Sequence, residues 1–207
     1  MLKLVRLAVK RLCQALASII VFIPAALSLF GRLRPVYTFF AQALALSPGL
    51  PGSYLRAAYY KLVLRQSSLD VTISFGTYFV HPDTVIEPFV SIGSYCVIGR
   101  SSIGARSQIA SQVLMPSGRR QHVRKPDGTL SDSVNLAERI LIGADCWIGD
   151  GAIVMADLGE SVTVGAGSVV TKPVPPGLVV AGNPARALQR TSAPTETVLE
   201  IVSRSHP

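Results

Sequence analysis

A branched aliphatic residue returns through the middle of this chain at steps that are mostly six. A helix would repeat its apolar residues every 3.6 positions and a plain strand every two, so a period of six predicts short strands alternating with tight turns in a stacked solenoid. Stacking is required because one hexad cannot bury its apolar residue alone. The twelve predicted inward anchors are Val80, Ile86, Ile92, Ile98, Ile103, Ile109, Ile142, Ile148, Val154, Leu158, Val164 and Val170.

Glycine supports the same prediction. Seven of the twelve anchors are followed directly by glycine, and we expect these glycines to provide turn conformations that residues with a Cβ atom avoid. The chain of 207 residues has room for one such domain and an appendage. Its three cysteines, Cys13, Cys96 and Cys146, lack the spacing of a metal site and are interpreted as reduced packing residues.

The repeat is interrupted at three places. The step from Ile98 to Ile103 is five and the step from Val154 to Leu158 is four, whereas Ile109 and Ile142 are 33 residues apart. The long gap predicts an inserted loop over residues 115–139, which is polar and charged where the flanking hexads are aliphatic. Loops that project from a rigid scaffold commonly carry function.

The C-terminal half of the repeat resembles a known family. Residues 142–151 read IGADCWIGDG, residues 164–172 read VGAGSVVTK, and residues 181–186 read AGNPAR after a Pro-Pro pair. This combination resembles the hexapeptide-repeat acyltransferases, among them sugar, maltose, xenobiotic and polysaccharide acetyltransferases. Over residues 80–190 the resemblance implies a left-handed parallel β-helix with three hexads per coil. It also implies a homotrimer that binds an acyl-CoA, here acetyl-CoA, between neighbouring subunits.

The implied reaction transfers an acyl group from a thioester to a hydroxyl, which needs a base at neutral pH. The unperturbed histidine pKa of about 6.5 suits this task. Of the three histidines, His206 is in the terminal tail and His81 is at the start of the repeat, whereas His122 lies in the insertion. In the family the catalytic histidine occupies a loop before the Ile-Gly-x-x-x-Trp stretch, which matches His122.

The approach to His122 departs from the sugar enzymes, which commonly place histidine directly after a Thr-Gly or Ser-Gly pair. Here Arg119, Arg120 and Gln121 intervene, as in the longer Ser-Gly-Arg-x-Gln-His segment of polysaccharide acyltransferases. We expect these three residues to bind the acceptor. The carboxylate that orients His122 stays open among Asp127, Asp132 and Glu138.

The resemblance also assigns the donor site. It places contacts to CoA at four positions and puts Trp147 beside the acyl group. Asp150 departs from the pattern of the sugar enzymes, so a contact there is in doubt. The alternative interpretation is that Trp147 belongs to the core and that the cations are ordinary surface charges. No metal is expected, and three separated histidines exclude the zinc site of a hexapeptide carbonic anhydrase. The four assigned positions are Ala166, Thr171, Lys172 and Arg186.

The front end of the chain is apolar and flanked by basic residues. Residues 12–31 carry no charge and have the length of about 20 residues that a membrane span needs; residues 35–55 form a second uncharged run. The segment could span a membrane, dip into one leaflet or pack as a helical subdomain. The basic flanks and the need for acyl-CoA favour the cytoplasmic face, with membrane association through residues 1–50. A cleavable signal peptide is less favoured.

The sequence therefore predicts a mainly β protein in three parts: an apolar helical region and cap over residues 1–66, a hexapeptide-repeat domain over 67–190, and a tail over 191–207. The expected function is O-acetylation of a sugar hydroxyl in an exported polysaccharide or lipid-linked glycan. Alternatives are a serine, xenobiotic or amino-sugar acetyltransferase and a non-catalytic membrane scaffold. The net charge of +8 is not accompanied by an aromatic and basic nucleic-acid module.

Overall fold

The structure, a computed structural model, describes residues 2–118, 124–130 and 138–188. Three helices come first: α1 (Leu2–Leu27), α2 (Arg34–Ala45) and α3 (Gly49–Val63). Short strands follow in the described part of the chain: β1 (Thr72–Ile73), β2 (Tyr78–Phe79), β3 (Val85–Ile86), β4 (Ser91–Ile92), β5 (Val97–Ile98), β6 (Ser101–Ile103), β7 (Gln108–Ile109), β8 (Leu114–Met115), β9 (Ile140–Ile142), β10 (Trp147–Ile148), β11 (Ile153–Val154), β12 (Thr163–Val164), β13 (Val169–Val170), β14 (Val179–Ala181) and β15 (Arg186–Ala187).

The strands stack into a parallel solenoid with three faces. The first face contains β1, β4, β7, β10, β12 and β14, with β15 antiparallel at its end. The second face contains β2, β5, β8, β11 and β13, and the third contains β3, β6 and β9. Bridges from Ile142 to Leu158 and from Leu158 to Val174 extend the third face. Five coils are complete, and β14 begins a sixth.

Eleven of the twelve predicted anchors are buried, and Val80 is the exception. The inward residue of that strand is Phe79, which is fully buried and lies opposite Ile98. The repeat also begins one strand earlier than predicted, at Ile73, six residues before Phe79. An aromatic residue occupies this position because the ring of Tyr60 packs edge-on against it, with centroids 4.7 Å apart.

All departures from six fall at one corner of the solenoid, between the second and third faces. In coils 1 to 5, the two inward residues on either side of this corner are 7, 5, 27, 4 and 4 positions apart in the sequence. Across each of the other two corners the inward residues are always six positions apart. We call this edge the variable corner. The two shortened steps and the inserted loop of the sequence analysis are thus features of one edge of the molecule.

The glycines that follow the anchors have a different role from the predicted one. None of the seven has a positive φ. A Cβ atom on Gly104 would lie 2.6 Å from the carbonyl carbon of Gly143, and one on Gly143 would lie 2.6 Å from that of Gly159. These glycines therefore permit close stacking of coils. The left-handed turn residues lie three positions before the inward residues of the first and second faces, except Ile73, and include Tyr95 and Asp145.

The buried cysteines link neighbouring coils. The Cys96 Sγ donates to the carbonyl oxygen of Ala110 at 3.1 Å, and the Cys146 Sγ donates to that of Gly159 at 3.0 Å. Burial raises the pKa of both thiols. Both cysteines are free and packed, as the sequence indicated.

The helices cover the first coil in two layers. Helices α2 and α3 contact β2 and β1, and the rings of Tyr37, Tyr59 and Tyr60 continue the core onto Phe79. Helix α1 packs mainly on α3. By length and composition α1 could cross a membrane, a test that core helices and signal sequences also pass. The second uncharged run is not one helix, because α2 ends at Ala45 and α3 begins at Gly49.

Arg56 joins this helical cap to the solenoid. Its side chain is 1% exposed. Its Nε donates to the carbonyl oxygen of Ile73 at 2.9 Å, and its Nη1 donates to those of Ser47 at 2.7 Å and Leu44 at 3.1 Å. Burial lowers the pKa of the guanidinium. One side chain thus satisfies carbonyl groups at the end of α2, in the α2–α3 connection and in the first strand.

We predict that Arg56→Met lowers the free energy of unfolding by about 3 kcal/mol, because several buried carbonyl oxygens lose their donors while the side-chain volume is kept. The exposed Arg65→Met is the control and should change it by less than about 0.5 kcal/mol. Chemical denaturation measures both. Equal effects of the two substitutions would contradict the role of Arg56.

The inserted loop has a narrow neck. The backbone N–H of Glu138 donates to the carbonyl oxygen of Ser117 at 3.1 Å, which joins the two ends of the insertion. Gly118 has a φ of +80°, and a Cβ atom there would lie 2.8 Å from the Cβ of Glu138. Within the loop, Arg124 and Leu130 form an antiparallel bridge around Gly128, whose φ is +83°.

Gly118→Ala should destabilise the neck more than Gly128→Ala destabilises the loop. Both positions have nearly the same left-handed backbone, which costs a non-glycine residue about 1 kcal/mol, but a Cβ on Gly128 would meet nothing within 4 Å. The difference between the two variants therefore isolates crowding against Glu138. Thermal unfolding and the rate of proteolysis within the loop measure it; indistinguishable variants would mean that the neck tolerates the methyl group.

Candidate functional site

Charged residues gather along the variable corner. In coil 1, the Asp83 Oδ2 lies 2.9 Å from the Nε of Arg100 in coil 2 and 3.3 Å from Nη2 of Arg139 in coil 3. Arg139 also donates to the carbonyl oxygen of Ser101 at 3.1 Å. Farther along, Asp157 occupies the corner of coil 4 and Lys172 that of coil 5. The inserted loop leaves from the middle of this polar edge.

His81 is held in a structural contact at the start of this edge. It is buried, and its Nδ1 lies 3.1 Å from Nη2 of Arg34. A guanidinium can only donate, so Nδ1 accepts. Burial, with the charges of Arg34 and Arg100, lowers the pKa of His81. The neutral imidazole thus joins α2 to coil 1, and its Nδ1 lone pair is already engaged.

The predicted base and its neighbours lie outside the described residues. These are His122, Arg119, Arg120 and Gln121. The structure instead defines the neck of the loop that carries them. A cavity of about 150 Å³ at this neck is lined by Gly118, Glu138, Arg139, Ile140, Met155, Ala156, Asp157 and Pro173.

The candidate orienting carboxylates occupy different places. Glu138 is exposed at the neck and lines the small cavity. Asp127 belongs to the outer turn of the loop, where its Oδ1 accepts from the backbone N–H of Thr129 at 2.9 Å and from the Thr129 hydroxyl at 2.6 Å. These bonds lower the pKa of Asp127. Asp132 lies outside the described residues, so Glu138 is the one of the three candidates that the structure shows at the neck.

The residues assigned to the donor site do not meet within one chain. Trp147 points outward from the first face and is 57% exposed, so the interpretation as a core residue is wrong. Ala166 is exposed at the corner between the first and second faces, whereas Thr171 and Lys172 lie at the variable corner. Arg186 is exposed in β15. The second face separates Ala166 from Lys172.

Asp150 has a structural role. Its Oδ1 accepts from the backbone N–H of Ser111 at 2.9 Å, and its carbonyl oxygen accepts from the N–H of Gly167 at 2.8 Å. It therefore links the turns of coils 3, 4 and 5. This explains an aspartate where the sugar enzymes carry a smaller residue.

An apolar column, which was not predicted from the sequence, lies on the outer side of the second face. Its members are the strand residues directly before the inward ones. Because successive side chains in a strand point to opposite faces of the sheet, these residues point away from the core. On the first face the same positions are mainly polar, as in Thr72, Ser91 and Gln108. In the sequence, this column appears as a pair of adjacent apolar residues in each strand of the second face. The column is Tyr78, Val97, Leu114, Ile153 and Val169.

Comparisons with known proteins agree with the resemblance. No family model matches the chain. Over 111 residues it is 29% identical to the bifunctional protein GlmU of Rubrobacter xylanophilus, covering 51% of this chain and 24% of that protein. Over 69 residues it is 38% identical to the 2,3,4,5-tetrahydropyridine-2,6-dicarboxylate N-acetyltransferase of Staphylococcus aureus, covering 32% of this chain and 29% of that one. The chain thus spans less than a third of each relative.

A solved structure extends the likeness to the fold. The maltose O-acetyltransferase of Clostridium difficile 630 superposes with a TM-score of 0.52 at 20% identity, covering 82% of this chain and 91% of that one. At this identity the likeness concerns the fold alone. The two partial sequence matches make the chain a homologue of hexapeptide-repeat acyltransferases, and the fold it shares with them is the left-handed parallel β-helix.

Proposed function

We propose that this protein is an acetyl-CoA-dependent O-acetyltransferase with His122 as its general base. One observation carries the proposal: the loop that contains His122 and the cation Lys172 arise from the same corner, two coils apart. Adjacent strands are about 4.8 Å apart, so these coils are separated by roughly 10 Å along the solenoid. A donor held at coil 5 and a base supplied by the loop of coil 3 can therefore act on one acceptor.

A homotrimer completes the proposed site. The apolar column on the second face would be covered by a neighbouring subunit, since a row of half-buried to exposed apolar side chains suits a protein interface. Packing through this face would place the variable corner of one subunit beside its neighbour. Ala166 and Trp147 of one chain could then line a cleft with Lys172 of the next. This arrangement accounts for the separation of the donor residues within one chain.

The proposed reaction needs one base and no covalent enzyme intermediate. His122 accepts the hydroxyl proton while the acceptor oxygen attacks the thioester carbonyl carbon. The carbon–sulfur bond then breaks, and the CoA thiolate takes the proton from the imidazolium. Backbone N–H groups stabilise the transient oxyanion. Lys172 and Arg186 bind phosphates of the donor, and Glu138 at the neck orients His122.

The proposed acceptor is a sugar hydroxyl of an exported polysaccharide or lipid-linked glycan, bound through Arg119, Arg120 and Gln121. The similar fold of an enzyme named for maltose and the apolar helices beside the variable corner support this choice. The proposed location is the cytoplasmic face of a membrane, where acetyl-CoA is available. The second candidate is N-acetyl transfer to an amine, which the name of the staphylococcal relative favours.

His122→Ala should lower acetyl transfer by about a hundred- to ten-thousandfold, the usual contribution of a general base. Release of CoA is measured with extracted glycans, simple sugars and amino acceptors in separate reactions. His206→Ala in the tail is the matched control and should retain wild-type turnover. A His122→Ala enzyme as fast as wild type would refute the assignment, and a preference for amines would favour the second candidate.

Lys172→Gln combined with Arg186→Gln should raise the KM for acetyl-CoA by roughly ten- to hundredfold, because two charge-assisted contacts to phosphate are lost. The KM for the acceptor should change much less. Arg6→Gln combined with Lys61→Gln removes the same charge from the helices and is the control. A larger effect on the acceptor than on acetyl-CoA would contradict the donor assignment.

A further inference from the structure

The connection between α1 and α2 holds two large apolar side chains outward. Leu29, Phe30 and Gly31 have φ values of 50°, 52° and 87°, three successive left-handed residues. Bulky L-residues rarely adopt this conformation, yet Leu29 is 57% and Phe30 48% exposed. A Cβ atom on Gly31 would lie 2.5 Å from the carbonyl oxygen of Val63, so this tip is fixed against the end of α3.

A cationic cavity lies directly beside this tip. It has a volume of about 370 Å³, and its lining includes Phe30, Arg32, Arg34, Arg65 and Asp83. Asp83 is the one carboxylate in that lining, and it is already paired with two arginines of the next coils. Three cations therefore face this cavity with little neutralising charge.

Helix α2 adds to the positive potential. It begins at Arg34, has a proline in its first turn, and carries no side-chain cap and no acidic residue there. Its free N–H groups and its dipole favour an anion at this end. Arg34 is positioned by its contact with His81. Planar guanidinium groups in such a setting match the geometry of phosphate.

Helix α1 is fixed along the surface of the protein. Lys10 and Arg11 bind the carboxylate of Asp70 at 2.8 and 3.1 Å, and the buried Gln14 donates to the carbonyl oxygen of Leu69 at 2.6 Å. Its other end enters the tip that contacts Val63. A spanning orientation would carry these solenoid contacts into the bilayer. The apolar residues that α1 leaves exposed include Leu12, Leu16, Ile19, Ile20, Ile23 and Leu27.

We infer that the tip and the arginine cavity together bind the phosphate headgroup of an anionic membrane lipid. Leu29 and Phe30 enter the acyl region while Arg32, Arg34 and Arg65 meet the phosphate, and α1 lies in the interface without crossing it. This inference rests on the membrane association proposed above. A lipid is favoured over a soluble phosphate because the cations border an apolar tip.

Such docking has a consequence for the proposed reaction. Asp83, which lines the cavity, belongs to the variable corner of coil 1, and the loop of His122 leaves the same corner two coils farther on. The separation along the solenoid is roughly 10 Å. A headgroup in the cavity would therefore hold the reaction edge close to the membrane surface, within reach of a glycan carried by a lipid.

The test is cosedimentation of the full-length protein with phosphatidylcholine vesicles, with and without phosphatidylglycerol. Arg32→Gln combined with Arg65→Gln should weaken binding to the anionic vesicles by about ten- to thirtyfold, the effect expected for two interfacial arginines. Arg106→Gln combined with Arg124→Gln removes the same charge from the solenoid and its loop, and should have much less effect. Leu29→Ser combined with Phe30→Ser should weaken binding to both vesicle types.

Each other outcome is informative. If the two double-arginine variants lose vesicle binding equally, the cavity is not a headgroup site and only general electrostatic attraction remains. Release from vesicles by millimolar inorganic phosphate would show a soluble-anion site instead. If wild-type protein binds no vesicles, both the inference and the membrane location are wrong. Acetyl transfer to a soluble acceptor, measured on the same variants, reports separately on the proposed enzyme activity.

Discussion

The hydrogen bonds between successive coils are the constraint on which the rest of the molecule depends. The N–H groups of Gly93, Gly104 and Gly143 donate to carbonyl oxygens of the next coil at 2.7, 2.8 and 2.9 Å. Because each coil is tied to the next in register, an insertion or deletion is tolerated only where it leaves the other corners in place. The variable corner absorbs all such changes. Departures from the six-residue step, including the inserted loop, are thereby confined to one edge.

The sequence predicted the solenoid because its inward residues repeat locally, but contacts between coils are not local. Gly104 resembles a turn residue when only its neighbours are considered, and its need for space becomes clear only when Gly143 lies beneath it. The choice of Phe79 over Val80 also depends on a distant partner, the ring of Tyr60. The left-handed turn at Tyr95 carries no compositional signal, because bulky residues rarely adopt that conformation.

The candidate site was predictable in its residue types and less so in its arrangement. Counting hexads places Trp147 on the first face and Lys172 at the variable corner. This count already implies that a single chain cannot bring the two side chains together. The outward column on the second face was visible as apolar pairs, such as Val97 beside Ile98. The six-residue period predicts only the inward positions, so the outward column was not among the predicted residues. His122 was predicted as the base from its place in the insertion, and it lies outside the described residues.

The helical cap contains one more layer of helix than is needed to cover the end of the solenoid. An open coil end must be covered, and α2 with α3 already does this through the buried tyrosines and Arg56. Helix α1 adds an outer layer that touches the solenoid mainly through polar bonds to Asp70 and Leu69. A purely structural layer would turn its apolar side inward, yet α1 exposes Ile19, Ile23 and Leu27. This exposed side is the surface that the proposed membrane contact would use, and basic residues at both ends of the helix suit an anionic surface.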